Sequence, residues 1–123
     1  MVESIILNKA EDFAVEIVSL HKELTIRKKE FQIADQIKRS GTAIGALVCE
    51  AIYAESSADF IHKLKIALKE CHETEYWLRL LFRSEYIKNE EYETLSNSNL
   101  ELKRMLIASI NTKSKNADAE EYC

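Results

Sequence analysis

The chain has 123 residues, 46% of them hydrophobic and 31% charged, with two glycines and no proline. One domain with its own core fits that length, and so few turn residues exclude an all-β sandwich or barrel. Seventeen basic against 21 acidic residues give a formal net charge of -4, which excludes coating nucleic acid through bulk charge and leaves only a local patch for that role.

Four stretches repeat apolar residues every three to four positions, as amphipathic helices do. The first, over 9–25, runs through Ala10, Phe13, Ile17, Leu20, His21 and Leu24, with Asn8 as its expected cap. After a charged joint at Arg27-Lys28-Lys29-Glu30, the second covers 31–55 through Ile33, Ile37, Ile44, Val48 and Ala51. Ser56 and Asp59 announce a third over 58–85, carrying Phe60, Leu64, Ala67, Cys71, Leu78 and Phe82. Asn89, followed by Glu90 and Glu91, is the expected cap of a fourth over 90–112, and residues 113–123 read as a polar, disordered tail. Four such helices joined by short turns predict an all-α, antiparallel up-down-up-down four-helix bundle over residues 1–112.

No apolar run approaches the roughly 20 residues that span a bilayer, and no basic segment precedes Ile5-Ile6-Leu7. Cys49, Cys71 and Cys123 have neither the number of a disulfide framework nor zinc-site spacing. A cytoplasmic protein with reduced thiols and no membrane contact is the expectation.

The second helix breaks the amphipathic rule. Between Arg39 and Glu50 it carries no charge across about three turns, so a solvated face is missing. A second copy of the chain covering Thr42, Gly45, Ala46, Cys49 and Tyr53 is the simplest explanation, with Gly41 and Gly45 admitting a close helix; tight packing inside one bundle is the alternative. Off the main stripe of the third helix, Ile66, Trp77 and Leu80 form a second apolar patch with the make-up of an interface anchor.

Glu75 falls near the centre of the apolar stripe, where a carboxylate needs a partner. A structural bond to a polar group on a facing helix, such as Arg39 or Ser40, competes with a perturbed acid or a metal ligand. Di-iron bundles need a Glu-x-x-His on each of two helices, and only Asp59-x-x-His62 comes near, so neither metal nor cofactor is expected. No phosphate loop, nucleophile elbow or Cys-His pair indicates an enzyme or a small-molecule substrate. Lys22, Arg27, Lys28, Lys29, Lys38 and Arg39 cluster within 18 residues; Arg27, Lys28, Lys29 and Lys38 are therefore candidate RNA contacts, against the plainer reading of a solvated turn with surface ion pairs.

The order Gln36-Ile37-Lys38-Arg39-Ser40 through Ile44 to Glu50-Ala51, then Asp59-Phe60-Ile61, Leu64, Ile66-Ala67-Leu68, Glu73, Glu75, Leu78 and Tyr86-Ile87 resembles the bacterial 23S ribosomal RNA intervening-sequence proteins over about residues 8 to 112. That family is similar in turn to the accessory variability determinants of diversity-generating retroelements, which form pentameric barrels and bind reverse transcriptase and nucleic acid. The resemblance implies a homopentamer without catalytic activity, with RNA or a reverse transcriptase as partner, and gives Gln36, Arg39, Glu50, Glu73 and Glu75 the job of holding the bundle and its interfaces. This chain departs from the family pattern at Ala43, Leu47 and Lys69-Glu70. The expected function is a non-catalytic oligomeric scaffold or adaptor, RNA-associated. The alternatives are a protein-binding bundle with no nucleic-acid role and an enzyme with an unrecognised carboxylate site.

Overall fold

Four helices carry the chain: α1 (Val2–Lys22), α2 (Gln32–Ile52), α3 (Ser57–Arg83) and α4 (Asn89–Tyr122), with no strand among the described residues. The structure is a computed structural model that describes residues 2–122, with side chains for residues 2–116. Helix α1 packs on α2 and α4, and α3 packs on the same two, so the short connections produce a four-helix bundle.

The core is built on the predicted stripes, with Ile6, Leu81 and Ile87 added to them. Ile6, Ala10, Phe13, Ile17, Leu20 and Leu24 of the first segment meet Ile37, Ile44 and Val48 of α2, Leu64, Cys71 and Leu78 of α3, and Leu102 and Leu106 of α4, all of them buried. Each large side chain so buried contributes about 1.5–3 kcal/mol relative to exposure. Among the described residues three polar side chains are enclosed with them, Ser40, Thr74 and Asn99. Ser40 and Thr74 pair across α2 and α3 at 2.9 Å, and Asn99 donates from Nδ2 to the Cys71 carbonyl at 2.9 Å.

Several helix ends lie elsewhere than predicted. Helix α1 begins at Val2, well before residue 9, because Ile6 extends its buried stripe backwards; Asn8 is therefore an exposed residue inside the helix and not its cap. Its other end widens into a π-helical turn, Glu23–Arg27, where the Thr25 hydroxyl hydrogen-bonds the His21 carbonyl at 2.9 Å. Residues 28–31 form the joint, and Glu30 caps α2 from outside by accepting from the amides of Ile33 (2.6 Å) and Ala34 (3.0 Å). Ser56 is the expected cap of α3, accepting from the Asp59 amide at 3.0 Å.

Helix α3 stops without a glycine. The Glu85 amide bonds the Phe82 carbonyl and the Tyr86 amide bonds the Leu81 carbonyl, a Schellman arrangement that places Glu85 at a left-handed φ of 66°. Asn89 is the first residue of α4 and donates to Glu93 at 3.2 Å instead of capping the helix. Helix α4 also continues past the expected end at residue 112 into the stretch expected as a disordered tail. No glycine or proline stops it, and Lys113 places Nζ 5.3 Å from the centroid of the Phe60 ring. Cys123 lies outside the described residues.

Candidate functional site

A helix whose core side is Ala34, Ile37, Gly41, Ile44, Val48 and Ala51 must turn residues about half a turn away outward. On α2 these are Thr42, Ala46 and Cys49, with Tyr53 continuing the line just past the helix end. The last three are exposed, Tyr53 to 82%, and Thr42 is half-buried with its hydroxyl 2.6 Å from the Lys38 carbonyl. An outer face without charge between Arg39 and Glu50 thus faces water. Gly45 does not belong to it: the residue is buried, and a Cβ there would lie 3.6 Å from that of Ala10. Gly41 is buried likewise against Ile17. The close approach that these glycines permit is made by α1 of the same chain.

Arg39 ties the neighbouring edge together. It donates to Glu70 at 2.9 Å and to Glu73, and the Glu70 hydrogen bond, with help from Glu73, outweighs desolvation and holds its guanidinium above the ordinary pKa. Glu73 also accepts from the Trp77 indole N–H at 3.1 Å. Trp77, Ile66 and Leu80 are half-buried along this α2-facing edge of α3, and Lys63 pairs with Glu50 at 3.3 Å further along. Gln36 is exposed beside Gln32, Ile33, Asp35 and Trp77 in a shallow surface cleft.

Glu75 has its partner on a facing helix, but on α4 and not α2. Ser96 donates to it at 2.8 Å and the Tyr92 hydroxyl at 3.1 Å. Arg39 and Ser40, expected as its partners, are engaged by Glu70, Glu73 and Thr74 instead, because Glu75 lies on the opposite flank of α3. Tyr92 stacks on Phe82 with ring centroids 4.8 Å apart, and burial, followed by the Glu75 charge, pushes its phenol above the ordinary pKa. His21 likewise finds a carboxylate, Asp35, at 2.8 Å. Among the described residues no group of three or more His, Cys, Asp or Glu side chains is placed to hold a metal ion.

At the α1–α2 joint the basic residues stay exposed, and two of them make contacts within the chain. Arg27 pairs with Glu23 at 3.3 Å, Lys28 donates to the Tyr86 carbonyl, and Lys29 is exposed at a φ of 56°. The groove beside them, of about 570 Å³, is lined by Glu16, Glu23, Glu90 and Glu91 as well as Lys28 and Lys88. Lys38 stands exposed a turn into α2.

A different basic surface went unpredicted. Along α3, His62, Lys65, Lys69, His72, Tyr76, Arg79 and Arg83 follow one another at intervals of three and four, and every one is exposed. The acids of the same helix lie off this line: Glu70 and Glu73 reach Arg39, and Glu75 reaches α4. The signal was present in the spacing of the bases.

The chain matches the family model of the 23S rRNA-intervening sequence protein over residues 3–108. It is similar to a protein of unknown function from the S23 ribosomal protein family of Bacteroides thetaiotaomicron, whose crystal structure superposes with a TM-score of 0.89 at 51% sequence identity, covering 90% of this chain and 99% of that one. No curated protein matches. Among the described residues no helix is long and apolar enough to cross a membrane.

Proposed function

The chain belongs to the 23S rRNA-intervening sequence protein family, and from that premise we propose that it is a non-catalytic, homo-oligomeric scaffold whose copies pack through the outer face of α2 and the adjoining edge of α3. The observation that carries this reading is the uncharged exposed run of Ala46, Cys49 and Tyr53, with Thr42 beside it. Water gains no charge there to solvate over about three turns, whereas a second apolar surface would gain by covering it. Ile66, Trp77 and Leu80, half-buried on the neighbouring edge, extend the patch with a residue type that commonly anchors interfaces. Gly45 plays no part, since its own α1 occupies its face. The family resemblance makes a pentameric ring the expected assembly.

A structural role for the carboxylates supports the non-catalytic reading, because Glu70, Glu73 and Glu75 are each held by side chains of a neighbouring helix. The exposed free thiol of Cys49 suits a reducing compartment, in keeping with the cytoplasm. Ala46→Glu tests the interface. Burying an unpaired carboxylate costs several kcal/mol, so sedimentation velocity should show the variant dissociating at concentrations where the unaltered chain stays assembled, with its helical spectrum intact. An assembly that ignores Ala46→Glu contradicts the proposed face.

A further inference from the structure

We propose that the outer stripe of α3 is a binding surface for single-stranded nucleic acid, with Lys65, Lys69, Arg79 and Arg83 on the phosphates and a base stacked on Tyr76. This inference stands independently of self-association, because the stripe lies on the solvent side of α3 while Ile66, Trp77 and Leu80 lie on its α2 edge.

Three observations carry it. First, the stripe is free of acids from His62 to Arg83 in a chain of net charge -4, so the average charge conceals a segregated face. Second, these four cations are uncommitted: among the described residues none has a carboxylate within 4.0 Å, whereas Lys9, Arg27, Arg39 and Lys63 each do. The carboxylates nearest in sequence are held elsewhere, Glu70 and Glu73 by Arg39 and Glu75 by Ser96 and Tyr92. The four cations are spread along about 27 Å of helix at 1.5 Å per residue, which suits an extended polyanion.

Third, the stripe has an aromatic at its centre. Tyr76 is 49% exposed, and its ring meets that of Trp77 edge to face, with centroids 4.9 Å apart at 71°. The indole is itself fixed by its hydrogen bond to Glu73. A ring held in this way between two pairs of cations is the combination of charge and stacking platform that single strands use. An anionic membrane surface fits less well, since a helix lying on lipid needs large aliphatic or aromatic side chains along its buried face, and here Tyr76 is the lone one among bases and histidines.

The test measures fluorescence anisotropy of labelled 20-nucleotide oligouridylate and oligothymidylate with the full-length protein, beside a 20-base-pair RNA duplex and vesicles containing anionic phospholipid. Both single strands are expected to bind within a few-fold of each other. Four phosphate contacts give a slope of log affinity against log salt of about -3, or roughly a fifty-fold loss between 50 and 200 mM salt. Lys69→Glu with Arg79→Glu should weaken binding at least tenfold and roughly halve that slope. Tyr76→Ala should weaken it roughly tenfold while Tyr76→Phe keeps it, since the ring face is what stacks. All the positions are exposed, so circular dichroism should show unchanged helicity. The proposal is overturned by the absence of single-strand binding at 50 mM salt, by binding that ignores the α3 variants but falls with Lys28→Glu and Lys29→Glu, by duplex binding tighter than single-strand binding, or by capture on vesicles alone.

Discussion

Gly41 lies so close to Ile17 that a Cβ on the glycine would stand 2.9 Å from Ile17 Cγ1 and 3.3 Å from Ile17 Cβ. Four residues on, a Cβ at Gly45 would meet Ala10 at an ordinary 3.6 Å. Two glycines one helical turn apart, facing the same partner helix, therefore do different things: Gly41 is required by packing and Gly45 is not.

Opposite outcomes follow for the same substitution. Gly45→Ala should stabilise the fold by about 0.5–1 kcal/mol through helix propensity. Gly41→Ala should destabilise it by about 1–2 kcal/mol net, because Ile17 is buried, branched at Cβ and unable to swing aside. Urea denaturation of the two variants checks both signs.

Glu85→Gly should stabilise the chain by about 0.5–1 kcal/mol and raise Tm by a few degrees. The left-handed φ of 66° that ends α3 strains any residue with a Cβ. Calorimetry on the variant and on Glu85→Ala separates relief of backbone strain from loss of the carboxylate, since alanine should bring no gain.

The thiol of Cys71 is pushed up to about 12 from 9.0, first by burial. Between those values the folded chain keeps a proton that the unfolded chain has lost. Its contribution to stability is therefore complete below pH 9 and declines as pH rises towards 12, by at most about 1.4 kcal/mol per unit. Cys71→Ala should be less stable at neutral pH yet lose stability less steeply above pH 9. Equal slopes for the two proteins in denaturant titrations across that range would contradict the assignment.

Asn99 is fully buried, with Nδ2 bonded to the Cys71 carbonyl and Oδ1 lacking a partner among the described residues. An enclosed unpaired acceptor costs about 1–3 kcal/mol. Asn99→Leu is therefore expected to raise Tm, and a fall of several degrees would show that the amide contributes more through its one bond than it loses through its orphaned oxygen.

The bundle was legible because burial repeats with the helical period, and Ser56 was legible because it stands just ahead of an apolar stripe with an acid three residues on. Asn8 misled because a side chain able to cap is no cap when core residues such as Ile6 carry the helix past it, and Asn89 by a single position, since the Tyr92 amide already bonds the Lys88 carbonyl and Asn89 lies inside the first turn. The need of Glu75 for a partner was readable from its place on the stripe. Its partner was not, since only the register of α4 against α3 brings Ser96 and Tyr92 opposite it. The spacing of Gly41 and Gly45 correctly indicated a close helix, but the reading gave that place to a second copy of the chain, whereas Ile17 and Ala10 of its own α1 occupy it. The α3 bases were fully present in the spacing, and following apolar periodicity alone hides them, because a charged stripe is visible only when charges are put on the same wheel.

Light scattering coupled to size exclusion, at tens of micromolar protein, measures self-association most directly. The expected mass is several times 14.2 kDa, five copies if the assembly is the pentamer, and a single 14.2 kDa species at that concentration would contradict the scaffold built through the outer face of α2.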